Sequence, residues 1–167
     1  MPSNQQFPVI NAGALPAASV LQAFAPIESW KTSATARTTT TLSIDPDLQL
    51  TVAANCTYEI EARLIFAGTS GGFAWTWTAP AGISGGYVAA FNNQGSGTPG
   101  VGDYGLAWTA SGLAATPSSG VVQGVILGGT LVTGVTAGTF GLNWALNSGS
   151  TSLSLGVGSK LKALRIA

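Results

Sequence analysis

The stretch YEIEARLIF, residues 58 to 66, alternates without a break. Tyr58, Ile60, Ala62, Leu64 and Phe66 fall on one side of an extended chain, and Glu59, Glu61 and Arg63 fall on the other. Successive side chains of a strand point to opposite faces, so this spacing buries one face and wets the other. The same period returns along the chain. In GFAWTWTAP it turns Phe73, Trp75 and Trp77 inward, and in FGLNWALN it turns Phe140, Leu142, Trp144 and Leu146 inward. In TSLSLGVG, Leu153, Leu155 and Val157 share one side, and KLKALRIA closes the chain as a last strand. Turn signals separate these runs: Gly71-Gly72, Pro80-Ala81-Gly82, Gly85-Gly86, Gly128-Gly129 and Asn147-Ser148-Gly149. About eight to ten short strands at such spacing, with no helix of ten residues after residue 37, predict an all-β fold. The expected architecture is a jelly-roll-like antiparallel β-sandwich over residues 37 to 167. Residues 92 to 103, NNQGSGTPGVGD, are expected to form a long glycine-rich loop.

Residues 1 to 36 differ. They hold Pro2, Pro8, Pro16 and Pro26, and proline cannot donate a ladder hydrogen bond. LPAASVLQAF can form a short helix with Pro16 in its first turn. Phe7, Val9, Ile10, Leu15, Leu21, Phe24 and Trp30 make the segment too apolar for full disorder. The reading is an extended N-terminal arm whose apolar residues contact a partner.

Charge is scarce. Six Lys and Arg balance six Asp and Glu, and charged residues make up 7% of the chain against roughly 25% in an average domain. Between Arg63 and Lys160 the one charged residue is Asp103. So neutral a chain suits packing against copies of itself or inside a larger assembly. Nucleic acid is not an expected partner, because Lys160, Lys162 and Arg165 form the one basic cluster and strand ends commonly carry such residues. A membrane is not expected either. Residues 121 to 146 are uncharged and contain Gly-x-x-x-Gly, but their Thr, Asn143 and Gln123 and a break at Gly128-Gly129 fit two or three buried strands better than a span. MPSNQQFPVI has neither the basic start nor the apolar run of a secretory signal. Cys56 is alone, so no intramolecular disulfide forms, and Asn55-Cys56-Thr57 reads as a loop entering a strand rather than a glycosylation acceptor.

The motifs that suggest catalysis fail on context. The chain contains no histidine, which removes Ser-His-Asp and Cys-His pairs and most zinc sites. GTSGG at 68 to 72 has the Gly-x-Ser-x-Gly form around Ser70 but no strand-to-helix elbow and no base. GSGTPG at 95 to 100 has the dinucleotide spacing but carries Pro99 and opens no helix. Glu59 and Glu61 lie on an open strand face, not across a cleft as glycosidase carboxylates do. A carbohydrate-binding module remains the alternative from another class; it would need Trp75 and Trp77 exposed in a row, whereas alternation turns them inward. Asp45 and Asp47 flank Pro46 in SIDPDLQL, residues 43 to 50. Proline pushes Asp45 out of the helical region, and Asp side chains cap nearby N–H groups. A corner or bulge between two strands is expected there, not a calcium site, which would need six to eight oxygens.

The run ARTTTTLSIDPDLQLTVAANCTYEIEARLIFAG, residues 36 to 68, resembles a segment of structural proteins of tailed actinobacteriophages. Those proteins share an Arg-x-Thr-Thr start, an Asp-Pro-Asp-Leu corner, Val-x-Ala-Asn and a Tyr-initiated strand. GGTLVTGVTAGTFGLNWALNSGSTSLSLGVGSKLKALRI, residues 128 to 166, is similar to their closing half, with its Thr-Ala-Gly-Thr turn, its Trp-Ala strand and its basic last strand. The resemblance covers roughly residues 36 to 82 and 120 to 167. Such proteins are labelled capsid decoration, head fibre or minor tail proteins. The resemblance implies a non-enzymatic virion protein with no catalytic, cofactor-binding or metal-binding residues. The expectation is a capsid decoration protein, a homotrimer, docked by its arm on the major capsid protein; a minor tail protein touching the host is the alternative.

Overall fold

A computed structural model describes residues 25–68, 72–93, 100–114, 122–148 and 152–167. Among them there is no helix. Twelve strands follow one another: β1 (Ile27–Trp30), β2 (Thr35–Arg37), β3 (Ser43–Val52), β4 (Thr57–Gly68), β5 (Phe73–Thr78), β6 (Ser84–Asn93), β7 (Gly100–Ala107), β8 (Gly112–Ala114), β9 (Val122–Val132), β10 (Gly138–Leu146), β11 (Leu153–Leu155) and β12 (Lys160–Arg165). They build two antiparallel sheets that face each other as a β-sandwich. The larger runs β1-β12-β4-β9-β6-β7, with β11 beside β4 and β2 beside β11. The smaller runs β3-β10-β5-β8. Pairings nest: β3 with β10, β4 with β9, β5 with β8 and β6 with β7.

The alternation decides which face is inside. Tyr58, Ile60, Ala62, Leu64 and Phe66 are buried, as are Phe73, Trp75, Trp77, Phe140, Leu142, Trp144 and Leu146. Aromatic rings fill the space between the sheets. Phe73 stacks on Phe66 at 4.7 Å and on Trp144 at 5.8 Å; Trp77 stacks on Phe140 at 5.0 Å and meets Trp108 edge-on at 5.5 Å. Such offset and edge-to-face pairs add to area burial. A buried indole N–H also needs an acceptor. Trp75 Nε1 donates to the Tyr87 hydroxyl at 3.1 Å and Trp108 Nε1 to the Thr130 carbonyl at 2.7 Å. Burial raises the pKa of the Tyr87 hydroxyl, although its hydrogen bonds to indole groups oppose this.

Several local expectations change. Gly128-Gly129 is not a turn but the middle of β9, and Gly85-Gly86 lies in β6. The reason is close approach between these strands: a Cβ on Gly129 would lie 2.2 Å from the Gly86 carbonyl oxygen and 2.6 Å from Tyr87 Cα. The chain instead reverses after Val132. Residues 92 to 103 are not one loop, because β6 continues to Asn93 and β7 begins at Gly100. Val157 is exposed, because the chain leaves β11 after Leu155 and turns. The Asp-Pro-Asp segment is a bulge within one strand, β3, rather than a corner between two. Opposite β10, the register passes from Gly141↔Gln49 to Asn143↔Ile44, so the partner strand advances far less than β3 does. The end of the stretch read as an arm contributes β1 and β2 to the large sheet; the helix expected around Pro16 lies outside the described residues.

The two adjacent glycines of β9 make opposite predictions. Gly129→Ala is expected to cost about 1–3 kcal/mol, the usual range for overpacking, because backbone atoms block its Cβ. Gly128→Ala, with nothing within 4 Å of the new Cβ, is expected to be neutral or to stabilise by up to about 1 kcal/mol. Urea denaturation midpoints of the two variants check this.

Candidate functional site

Two features stand out from the sandwich: a buried charge cluster and an uncharged sheet face. The cluster begins with the bulge in β3. Proline at 46 bends Asp45 so that its side chain turns inward, and Asp45 Oδ1 accepts hydrogen bonds from the N–H groups of Asp47 at 3.0 Å and Leu48 at 3.2 Å. Trp144 of β10 donates its indole N–H to Asp45 Oδ2 at 2.9 Å. Facing them is Lys31, the residue after β1. Its backbone is tied to the turn before β12, the N–H donating to the Ser159 carbonyl at 2.9 Å. Its side chain enters the space between the sheets and is 1% exposed, while Asp45 is 0% exposed. Lys31 Nζ lies 3.0 Å from Asp45 Oδ1, 3.1 Å from Asp45 Oδ2, 2.8 Å from Asp47 Oδ2 and 2.9 Å from Thr35 Oγ1. The ammonium thus has two carboxylates and a hydroxyl around it, and the Asp47 side chain remains 37% exposed.

Arg37 of β2 closes the cluster from outside. Its guanidinium lies 4.2 Å from the Trp144 ring centre, a cation–π contact. It donates to the Ser43, Ile44 and Trp144 carbonyls. Burial lowers the pKa of Arg37, and the nearby Asp45 charge opposes that shift. Lys31 and Arg37 therefore join the first two strands to β3 and β10 of the opposite sheet.

The second feature is the solvent face of the large sheet, which divides in two. On β4 and β12, the side chains of Glu59, Glu61, Arg63, Lys160 and Lys162 face out, with Glu61 and Arg63 paired at 3.0 Å. β6 and β9 contain no charged residue. Val88, Val122 and Ile126 are each more than half exposed there. Gly105, Gly124 and Gly128 lie among them with no side chain and no intramolecular contact that demands glycine. A glycine inside a strand costs stability and commonly marks close approach of another backbone or a ligand.

Of the residues expected to contact a partner, Phe7, Val9, Ile10, Leu15, Leu21 and Phe24 lie outside the described residues. Trp30 sits on the edge strand β1 and is 59% exposed. Ser70 and most of GSGTPG also lie outside them. Trp75 and Trp77 are buried, so they form no exposed aromatic row. Among the described residues no group of three or more His, Cys, Asp or Glu is placed to hold a metal. Sequence patterning missed Lys31 and Arg37 entirely. It also missed the charge-free face, although the uncharged run in β9 was its signal.

No protein-family model matches the chain, and no curated protein does. Among solved structures the chain is weakly similar to infectious bursal disease virus Gx strain, at 9% identity and a TM-score of 0.21 over 85% of this chain and 40% of that one. Its overlap with the same virus's VP2 subviral particle has 7% identity and a TM-score of 0.14 over 86% of this chain and 39% of that one. The chain spans about two fifths of the length of these chains. Overlaps of this size carry no argument about function.

Removing one partner of a buried ion pair strands the other charge. Lys31→Ala is therefore expected to destabilise the fold by about 3–5 kcal/mol. Asp47→Ala, at the exposed rim, is expected to cost about 1 kcal/mol or less. Equilibrium urea unfolding followed by Trp fluorescence measures both, and equal losses would contradict the assigned order of burial.

Proposed function

We propose that this chain is a non-enzymatic structural protein of a virion, a capsid decoration protein that docks on a lattice of major capsid protein and is itself a homotrimer. The observation that carries this reading is the valine- and glycine-rich outer face of β6 and β9, two strands without a charged residue. The interior of the sandwich is already filled by aromatic rings, so these outward apolar residues are not needed to complete the core. An exposed apolar patch rimmed by charged residues is characteristic of an interface. Each Å² it buries against a partner contributes about 25 cal/mol.

Three further observations support the reading. The nested pairing of β3 with β10, β4 with β9, β5 with β8 and β6 with β7 is the order of a long hairpin folded over on itself, as in a jelly roll. That fold recurs in viral capsid and lectin domains, although a fold alone does not determine function. Charged residues are scarce, as suits a permanent assembly. Trp30, one of the apolar residues of the proposed anchoring arm, is exposed on an edge strand. Location at the tail as a host-contacting minor tail protein is the second reading, favoured by the same resemblance to actinobacteriophage proteins. A sugar-binding module is disfavoured because Trp75 and Trp77 face the core.

Val88→Glu with Ile126→Glu places two charges on the proposed docking face. As surface changes they are expected to alter stability by about 0.5 kcal/mol each at most, yet to reduce the copies bound to purified particles at least about tenfold, the effect of roughly 1.4 kcal/mol of lost binding. Full occupancy by the folded double variant would reject the face. Deletion of residues 1 to 24 tests the arm by the same count, and unchanged incorporation would remove its anchoring role. Gold-labelled antibody seen on heads supports decoration, whereas label on tails moves the protein to the second reading.

A further inference from the structure

The Lys31 cluster is arranged for more than a salt bridge. Nζ is nearly equidistant from both oxygens of Asp45, at 3.0 and 3.1 Å, so the amine is held in contact with the carboxyl group it would join. Asp47 Oδ2 touches the same Nζ at 2.8 Å and connects it to solvent through a side chain that is 37% exposed. Asp45 Oδ1 is held by two backbone N–H groups and Oδ2 by the Trp144 indole N–H. These are donors aimed at the oxygens of one carboxyl group, as in sites that stabilise an oxyanion. We propose that Lys31 and Asp45 condense within the folded chain into a side-chain amide, with Asp47 as the proton carrier.

The step balances without any outside reagent. The Lys31 ammonium passes one proton through Asp47 to Asp45 Oδ2, and the freed amine attacks the carbon of the now neutral carboxyl group. Oδ1 carries the developing negative charge, stabilised by the Asp47 and Leu48 N–H groups. A second proton then passes from the attacking nitrogen, again through Asp47, to the same Oδ2. The C–Oδ2 bond breaks and water leaves. An ammonium and a carboxylate have become a neutral amide and one water. Two physical terms favour it. Both groups are held in contact by the fold, and effective molarities of well-oriented intramolecular reactions reach about 10⁵–10⁸ M. The product also replaces two buried charges, which are costly to desolvate, with one neutral group.

The bond would join the residue after β1, on the large sheet, to β3 of the small sheet. It would be a covalent strap between the sheets, one residue beyond the first described strand. Tension applied through the N-terminal segment would then load a covalent bond rather than an edge strand held by hydrogen bonds alone.

The test is the mass of the purified full-length protein. The expected mass is one water below that of the sequence, after allowing for any N-terminal processing. Trypsin is expected to leave Lys31 uncut and to yield residues 1 to 37 joined to residues 38 to 63 as one branched peptide. Fragment spectra should place the junction at Asp45. A succinimide cannot mimic it there, because Pro46 has no N–H to close the ring. Asp47→Asn is expected to fold, by circular dichroism, and to retain the uncondensed mass. Wild-type protein at the full sequence mass, with free cleavage after Lys31, would overturn the proposal and leave a salt bridge only. Water loss located at another residue would overturn it equally, and a fully condensed Asp47→Asn would remove Asp47 from the reaction.

Discussion

The contact between Lys31 and Asp45 is the point at which the two sheets are bound by charge as well as by apolar packing. A lysine and an aspartate that are almost wholly buried are tolerated only when every proton and lone pair finds a partner, and the surroundings provide those partners. Pro46 and the bulge bring Asp47 and Leu48 N–H groups to Oδ1, β10 brings the Trp144 indole to Oδ2, and β2 brings Thr35 to Nζ. Arg37 then covers the outer face of Trp144 and binds the carbonyls on either side. Strands β1, β2, β3 and β10 meet because this cluster needs them all. The short first strands, paired with β12 and β11, are fastened to the opposite sheet by it.

Away from that point the interior is built of aliphatic and aromatic side chains, with Gln123, Thr133 and Ser159 also buried. With Phe66, Phe73, Trp75, Trp77, Trp108, Phe140 and Trp144 all buried, the core does not require the outward-facing Val88, Val122 and Ile126. The large sheet therefore shows two surfaces with different chemistry: a charged one over β4 and β12, suited to water, and an uncharged one over β6 and β9, suited to a protein partner. Glycines at 124 and 128 flatten the second surface. Under the proposed structural role, the second surface is the one that would attach, and the Lys31 cluster would hold the first strands to the sandwich.

The inward faces of β4, β5 and β10 were legible from residue spacing alone, and so was the cap that Asp45 places on the following N–H groups. Alternation is a property of the extended backbone, which sets each side chain opposite its neighbours whatever the rest of the chain does. The glycine pairs were misread for the opposite reason. Gly128-Gly129 has the composition of a turn, but Gly129 is there because the backbone of β6 approaches it, and that strand lies some forty positions earlier in the chain. Val157 continued the alternation on paper after the strand itself had ended.

The amino-acid sequence by itself thus determined the class of structure, which strand faces are buried and the scarcity of charge, because these follow from local geometry and composition. Only the tertiary structure decided that Lys31 meets Asp45, 14 positions away, and that Trp144 joins them from 99 positions away. The same holds for the outward residues of β6 and β9, which became one continuous apolar surface only when those strands paired. Pairing between distant strands depends on the burial available to the whole chain, and no local pattern encodes which neighbour a strand will find.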